Sequence, residues 1–343
     1  MKGSPYGIHR VLEPAGTLPQ AAWKISNDME ICDNEILIDV DILNIDAASF
    51  TQIKKAAAMD VEKIKQTMLD IVAKRGKHHN PVTGSGGMLV GRVSSIGAAL
   101  QDRDLKVGDR IATLVSLSLT PLVIDKIKAV HIERDQVEIE GRAVLFESGI
   151  YAKLPADMPD ALALAVLDVA GAPAQTARLV KPGDTVLIIG GGGKSGTLCM
   201  YEARKRAGVT GTIIGIGSSA KSCQRIRDLG WADHVLEVDA TNAVAVMEAV
   251  AAVTGGKLAD VTINCVNIPG TEMASVLATR DYGTVYFFSM ATSFTAAALG
   301  AEGVGKDVNM IIGNGYTHRH AEISLHLLRE SPQLRQLFET IYA

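Results

Sequence analysis

Aromatic side chains make up only 4 % of the 343 residues, so the interior cannot be built around large rings. With 47 % apolar residues overall, it must be filled by Ala, Val, Ile and Leu, the composition of buried parallel strands. Cysteine is scarce as well. Its four copies, Cys32, Cys199, Cys223 and Cys265, stand far apart with no CxxC pair and no Cys/His spacing of a zinc site, and read as reduced, mostly structural thiols. A strong charge of either sign is missing too: a formal −4 offers no global field for nucleic acid or an anionic membrane. No apolar run is long enough to span a bilayer, and the opening MKGSPYGIHRVLEP lacks the unbroken apolar stretch of a signal peptide. The expectation is a soluble cytoplasmic protein with neither nucleic-acid nor membrane partners.

What is present is a change of texture near Lys153. Before it, EILIDVDILN (Glu35 to Asn44) alternates as a strand with one buried face, and MLVGRVSSIG, VGDRIATLVSL, AVHIER and AVLFES read as further strands. Between the first two of these, Ile53, Ala57, Val61, Ile64, Met68, Ile71 and Val72 recur at helical steps, predicting one amphipathic helix from Phe50 to Lys74. Its polar face mixes acids and bases, which argues for a lid or packing insert and against a membrane-surface helix. GKHHNPVTGSGG, after Arg75, is a loop by composition.

After Lys153, residues 160–181 read as helix with a break at Gly171 to Pro173, and strands then alternate with helices: TVLIIG, GTIIGIG, HVLEVD, VTINCV and GTVYFFSM, with helices over 195–207, 220–229, 244–253 and 271–279. That order predicts an α/β fold with a doubly wound parallel sheet. One or two terminal helices follow in ISLHLLRESPQLRQLFETIY.

The run GGGGKSG carries two overlapping phosphate signatures. A nucleoside-triphosphate loop needs a glycine five residues before Gly193, and Ile188 stands there, so that spacing fails. The dinucleotide spacing fits: Gly191, Gly193 and Gly196 follow an apolar strand and open a helix, where Lys194 and Ser195 would support a pyrophosphate. At the end of the second strand, where an acid usually meets a free ribose 2′-hydroxyl, the chain has Gly217, then Ser218, Ser219, Lys221 and Arg225. Hydroxyls and cations without a carboxylate favour a 2′-phosphate, so the cofactor reads as NAD or NADP with a lean to NADP. Asn264 and Asn267, ending VTINCV and its turn, and Ser289, closing YFFSM, lie where an open sheet gathers its ligand. Asn314 and Tyr316 in IIGNGY are further candidates for the cofactor.

KVGDRIATL, the segment from Asp160 to Gly196 and GTVYFFSM together resemble the medium-chain dehydrogenase/reductase superfamily over almost the whole chain. The resemblance implies a GroES-like β-rich catalytic domain over 1–152, completed by about 312–343, and a Rossmann domain over 153–311. NDMEICDNEILIDVDILNIDAASFTQI, HHNPVTGSGGMLVGRVSSIG and NMIIGNGY are more closely similar to the diamino-acid dehydrogenases of bacterial lysine fermentation. That similarity implies oxidative deamination of 3,5-diaminohexanoate to 5-amino-3-oxohexanoate and ammonia, with NAD(P)⁺ reduced. The wider superfamily resemblance implies a homodimer joined edge to edge near VYFFSM.

Where zinc-dependent members carry a Cys and then a Gly-His-Glu, this chain has Asp46 and the Gly-Ser-Gly-Gly of PVTGSGGM, so no metal is expected. Amine oxidation needs a base for the substrate ammonium. Asp46 falls where the superfamily places its catalytic ligand, although an Asp there also suits a helix N-cap. Glu147 is a candidate partner for the second ammonium, and His79, or its neighbour His78, for moving a proton near neutral pH. Arg92, Lys54 and Arg319 are candidates for the substrate carboxylate. A zinc-free quinone or enoyl reductase is the alternative enzyme, and a non-catalytic NADP-sensing protein the alternative outside enzymology.

Overall fold

The structure, a computed structural model, describes residues 1–313 and 315–342, which leaves Asn314 outside the described residues. It divides into two compact units, Met1–Asp157 and Met158–Ala343.

In the first unit a small antiparallel pair, β1 (Val11–Glu13) and β2 (Lys24–Ile25), precedes β3 (Glu35–Ile45), α1 (Ala47–Ala56) and α2 (Val61–Arg75). Then come β4 (Gly87–Ile96), β5 (Arg110–Thr113), β6 (Leu122–His131), β7 (Gln136–Phe146) and β8 (Tyr151–Lys153). Six of these strands form an antiparallel sheet in the order β6-β7-β3-β4-β5-β8. Along β3 the buried apolar positions are Ile36, Ile38 and Val40, then Leu43 and Ile45. The phase changes because the pairing shifts between Val40 and Ile42, where a bulge adds one residue and turns the following side chains over.

The single helix expected over 50–74 is two. Ala58 and Met59 take left-handed backbone (φ 53 and 63), and Asp60 starts α2 by accepting the N–H groups of Glu62 and Lys63. The expected apolar positions still share one core, because Ile53, Ile64, Met68, Ile71 and Val72 all join the cluster that holds β3. Each fully buried aliphatic side chain contributes about 1.5–3 kcal/mol, which fastens the insert to the sheet.

Cations tie the N-terminal segment to this unit through backbone carbonyls. Arg10 donates to the carbonyls of Asp28 and Glu30, Arg75 to that of Trp23 while lying over its ring, and Lys77 to those of Pro19 and Gln20. Arg10 also grips the buried Glu35 carboxylate with two nitrogens, at 2.7 and 2.6 Å.

The second unit opens with α3 (Asp160–Leu167) and α4 (Gly171–Leu179). The helical break falls at residues 168–170 rather than at Gly171 to Pro173, which instead begin α4, where proline is tolerated in the first turn. Next come β9 (Thr185–Ile189), α5 (Lys194–Ala207), β10 (Thr212–Gly217), α6 (Ala220–Leu229), β11 (His234–Glu237), α7 (Ala243–Thr254), β12 (Ala259–Asn264), α8 (Glu272–Leu277) and β13 (Thr279–Phe287). The chain ends with α9 (Phe294–Val304), β14 (Asn309–Ile312), α10 (His320–Glu330) and α11 (Pro332–Ile341).

The sheet is parallel throughout, ordered β11-β10-β9-β12-β13-β14, and the order reverses beside β9. The sequence patterning did not predict α9 and β14. Because β14 pairs outside β13, the strand containing VYFF is covered and the sheet edge is four residues of β14. The last helices group with this second unit, with α10 and α11 packed on α3 and α5 and α10 also on α4, whereas the resemblance had implied their return to the first domain. No helix among the described residues is long and apolar enough to cross a membrane.

Candidate active site

The first unit brings Asp46 and the glycine-rich loop together. Asp46 follows β3 and occupies the N-cap position of α1, but its Oδ2 accepts the backbone N–H of Gly86 at 3.0 Å rather than capping the helix. Around it, Ser49 Oγ lies 2.6 Å from both Thr83 Oγ1 and Ser85 Oγ. Asn80 donates to the Ser49 carbonyl and to Gln52, and accepts the N–H of Val82, so the loop is sewn onto α1. Gly87, at φ 120, must be glycine, since a Cβ there would come within 2.1 Å of the Asn44 carbonyl oxygen.

His78 and His79 sit in this loop. His78 is wholly buried, with no hydrogen-bond partner on either ring nitrogen, and burial pushes its pKa down to about 4. His79 is half-buried, with its Nδ1 buried and unpartnered. Burial first, then the charges of Lys77 and Arg75, also lower its pKa to about 4. Both rings are therefore neutral at neutral pH, and neither titrates there as the sequence suggested. Lys77, which sequence reasoning passed over, is completely buried with its pKa pushed down to about 7 by burial and then by Arg75. The signal was a lysine between glycine and two histidines with no acid within reach in the sequence.

Glu147 lies elsewhere. It follows β7, whose Phe146 pairs with Glu35 at the start of β3, whereas Asp46 follows the end of β3. The 11 residues of β3 separate the two carboxylates by roughly 30 Å at about 3.3 Å per residue. Glu147 instead accepts the Asn34 amide at 2.8 Å, and its backbone carbonyl accepts from Arg103.

The residues considered for a substrate carboxylate are also occupied. Lys54 pairs with Asp135 at 2.9 Å, Arg319 with Glu322 at 2.6 Å, and Arg92 reaches the Gly108 carbonyl at 3.5 Å.

Asp46 belongs to no group of three close His, Cys, Asp or Glu ligand atoms among the described residues. Among the described residues the one group of three close ligand atoms is His9, Cys32 and Glu35. Glu35 lies at the far end of β3, and its carboxylate already holds Arg10, whose guanidinium would repel a cation.

The second unit carries the glycine-rich turn between β9 and α5, the candidate dinucleotide site. Gly190, at φ 83, makes the tight turn out of β9, one residue before Gly191, the first glycine of the dinucleotide spacing. A Cβ on Gly196 would lie 2.1 Å from the Gly190 carbonyl oxygen, so glycine is required for α5 to pack on the strand. Gly193 is exposed, and a Cβ there would meet no protein atom nearer than 3.3 Å. The protein itself therefore needs glycine at 196, whereas Gly193 leaves room on the side open to a ligand. The first-turn N–H groups of α5, including that of Ser195, form the positive end of a 14-residue helix.

Other candidates are tied up internally. Lys194 pairs with Asp168 at 2.7 Å. Ser219 caps α6 by accepting the Ser222 N–H, and Arg225 donates to the Gly192 carbonyl at 2.5 Å, while Ser218 and Lys221 remain exposed. Asn264 is fully buried, its amide donating to Thr271 and Ser275 and its oxygen accepting the Val266 N–H. It holds the turn into α8 and has no donor left for a ribose. Ser289 donates to Asn267 Oδ1 at 3.3 Å. Tyr316 packs edge-on against His320.

Residues 9–155 match the family described as the L-erythro-3,5-diaminohexanoate dehydrogenase N-terminal domain, and residues 195–318 match the zinc-binding dehydrogenase family. The L-erythro-3,5-diaminohexanoate dehydrogenase of Acetoanaerobium sticklandii is 61 % identical over 343 residues, covering 100 % of both chains. The chain belongs to the L-erythro-3,5-diaminohexanoate dehydrogenase family.

The Fusobacterium nucleatum member of that family is 60 % identical over 342 residues, covering 99 % of each chain. Among solved structures, a mycobacterial protein complexed with NADPH matches with a TM-score of 0.53 at 18 % identity, over 93 % of this chain and 85 % of that one. At that identity the match shows the fold alone, an antiparallel β-rich unit and a Rossmann-like unit with a parallel sheet. Membership of the L-erythro-3,5-diaminohexanoate dehydrogenase family makes the chain an oxidoreductase and favours the amino-acid dehydrogenase over the quinone or enoyl reductase and over the sensor.

Proposed function

We propose that this protein oxidises L-erythro-3,5-diaminohexanoate at C3, giving 5-amino-3-oxohexanoate and ammonium. The observation that carries the reading is full-length similarity to enzymes of that name, joined to an ionisable Asp46 where zinc-dependent relatives of the fold would hold a metal ligand.

The ammonium at C3 must lose a proton before its nitrogen lone pair can assist departure of hydride. Asp46 takes that proton, and as a carboxylate it favours the positive charge that grows on nitrogen. The Gly86 N–H fixes one carboxylate oxygen, and hydrogen bonds from Ser49 through Ser85 and Thr83 hold the loop that presents it. A nicotinamide dinucleotide bound at the β9–α5 turn would supply the hydride acceptor. Water then adds to the substrate iminium, and ammonium leaves, so that one water is consumed and one net proton released with each turnover. His79 is held neutral, so it would act as a hydrogen-bonding group toward that water and not carry charge. Glu147 has no part in this chemistry, because its end of β3 is the wrong one.

Gly193, Ser195 and the first turn of α5 would hold the pyrophosphate. Ser218 and Lys221, exposed beyond a β10 end that lacks an acid, support acceptance of a 2′-phosphate, so NADP⁺ is used as well as NAD⁺. Two copies associate as a homodimer through the short β14 edge, which size-exclusion chromatography with light scattering would test.

The deciding experiment is absorbance at the reduced-nicotinamide band with 3,5-diaminohexanoate and each dinucleotide. Reduction with the diamino acid is the expected result. Quinone-dependent oxidation of NADPH, with no reduction of either dinucleotide by the diamino acid, would overturn the proposal.

A further inference from the structure

The peptide joining Gly192 to Gly193 lies in the middle of the turn between β9 and α5, and it is held from both sides. Its N–H, on Gly193, donates to the Gly190 carbonyl at 3.0 Å. Its carbonyl, on Gly192, accepts Arg225 Nη1 at 2.5 Å. In a trans peptide these two groups point in opposite directions, so the two bonds together fix the plane. Without them a Gly-Gly peptide is free to rotate, because neither residue has a Cβ to limit it.

Arg225 is in turn backed by the end of the chain. Its Nη1 lies 3.4 Å from the Tyr342 hydroxyl, and the Tyr342 ring packs 5.0 Å from that of Phe338, which is completely buried. A line of contacts therefore runs from the buried face of α11 through Tyr342 and Arg225 to the dinucleotide turn. The turn touches α6 at a second point, since a Cβ on Gly192 would come within 2.3 Å of Ser222 Oγ.

We propose that Arg225, braced by Tyr342, is a positioning residue that sets the Gly192–Gly193 peptide for either nicotinamide dinucleotide, and is not the reader of a 2′-phosphate. A guanidinium hydrogen-bonded into the turn acts on the part common to both cofactors, the pyrophosphate seat. This inference rests on the reading of the second unit as a dinucleotide site and assigns a role within it.

Equilibrium titration of NAD⁺ and NADP⁺, alongside steady-state kinetics, separates the possibilities. Arg225→Ala should raise Kd and KM for both dinucleotides by the same factor, about tenfold for the loss of one charged hydrogen bond, with kcat at saturation changed less than about twofold. Arg225→Lys, which keeps a cationic donor, should recover part of the loss. Tyr342→Phe should shift both cofactors in the same direction by a smaller factor, and it carries the test if the alanine variant does not fold. A loss confined to NADP⁺ would make Arg225 a 2′-phosphate ligand, and unchanged affinity for both would show that the turn does not need it. Either result overturns the proposal. If the parent protein bound neither dinucleotide, the failure would lie in the underlying site reading and not in Arg225.

Discussion

Asp46 and Gly86, 40 residues apart in sequence, meet through a 3.0 Å hydrogen bond from the glycine N–H to the aspartate Oδ2. The bond leaves the carboxylate exposed while fixing its direction, which is what a base working on a bound amine requires. It also makes the side chain's charge separable from its geometry by mutation.

Asp46→Asn keeps an oxygen for the Gly86 N–H and removes the base. It should lower kcat by about 10²–10⁴-fold, the usual worth of general base catalysis, with an unchanged melting temperature. Asp46→Ala should be as inactive and lower the melting temperature as well, since the N–H loses its acceptor. Equal activity of the asparagine variant and the parent in the diamino-acid assay would remove Asp46 from the mechanism.

Much of this site was open to sequence reading, and the limits have physical causes. The glycine turn between β9 and α5 was legible because glycine at a strand end followed by a helix is a local backbone requirement. Asp46 was legible by its place after β3. The separation of Glu147 from Asp46 was not, because it depends on which end of β3 pairs with Phe146, a register that no short stretch encodes. The burial of Lys77 was hidden for the same reason, since it bonds to Pro19 and Gln20, 58 and 57 residues away; Asn264 is held by Thr271 and Ser275, close in the chain, through a turn that the pattern did not show. The missed β14 has four residues with no clean alternation, and the broken helix between α1 and α2 depends on left-handed Ala58 and Met59, residue types that seldom signal a break.

Gly193 and Gly196 should respond differently to alanine. Gly196→Ala drives a methyl group to 2.1 Å from a backbone oxygen, so it should destabilise the fold by at least the ~1–3 kcal/mol typical of overpacking. Gly193→Ala meets the protein only at 3.3 Å and should melt close to the parent temperature while binding dinucleotide far more weakly. Calorimetry paired with a dinucleotide titration checks both. A Gly193→Ala protein with parental affinity would show that the pyrophosphate lies elsewhere.

Lys77 should make stability depend on pH in the alkaline range. Its folded pKa of about 7 lies below the ordinary lysine value of about 10.4, so between those limits the unfolded chain binds more protons. Stability from this group is therefore complete above about pH 10.4 and is lost as pH falls toward about 7. Denaturant melts across that window should show the slope in the parent and a flatter profile in Lys77→Met. Identical slopes would rule out a depressed lysine.

Glu35 gives the opposite edge of the profile. Burial raises its pKa, but Arg10 and the Cys32 N–H outweigh that and hold the carboxyl below its ordinary value. Its contribution is present above the ordinary glutamate pKa and lost as pH falls through the lower folded one. Arg10→Met leaves the buried carboxylate without its main partner and should cost about 3–5 kcal/mol at neutral pH in a urea melt. A loss below about 1 kcal/mol would mean that the pair is no stronger than a surface salt bridge.

The ties that hold the N-terminal segment end on backbone oxygens of Pro19, Gln20, Trp23, Asp28 and Glu30. A carbonyl is the same whatever side chain it carries. Arg10, Arg75 and Lys77 therefore fasten a strap several of whose letters are free to change, and Gln20 and Glu30 are places where this protein can accept new residues, a tag or a label without letting go of its first unit.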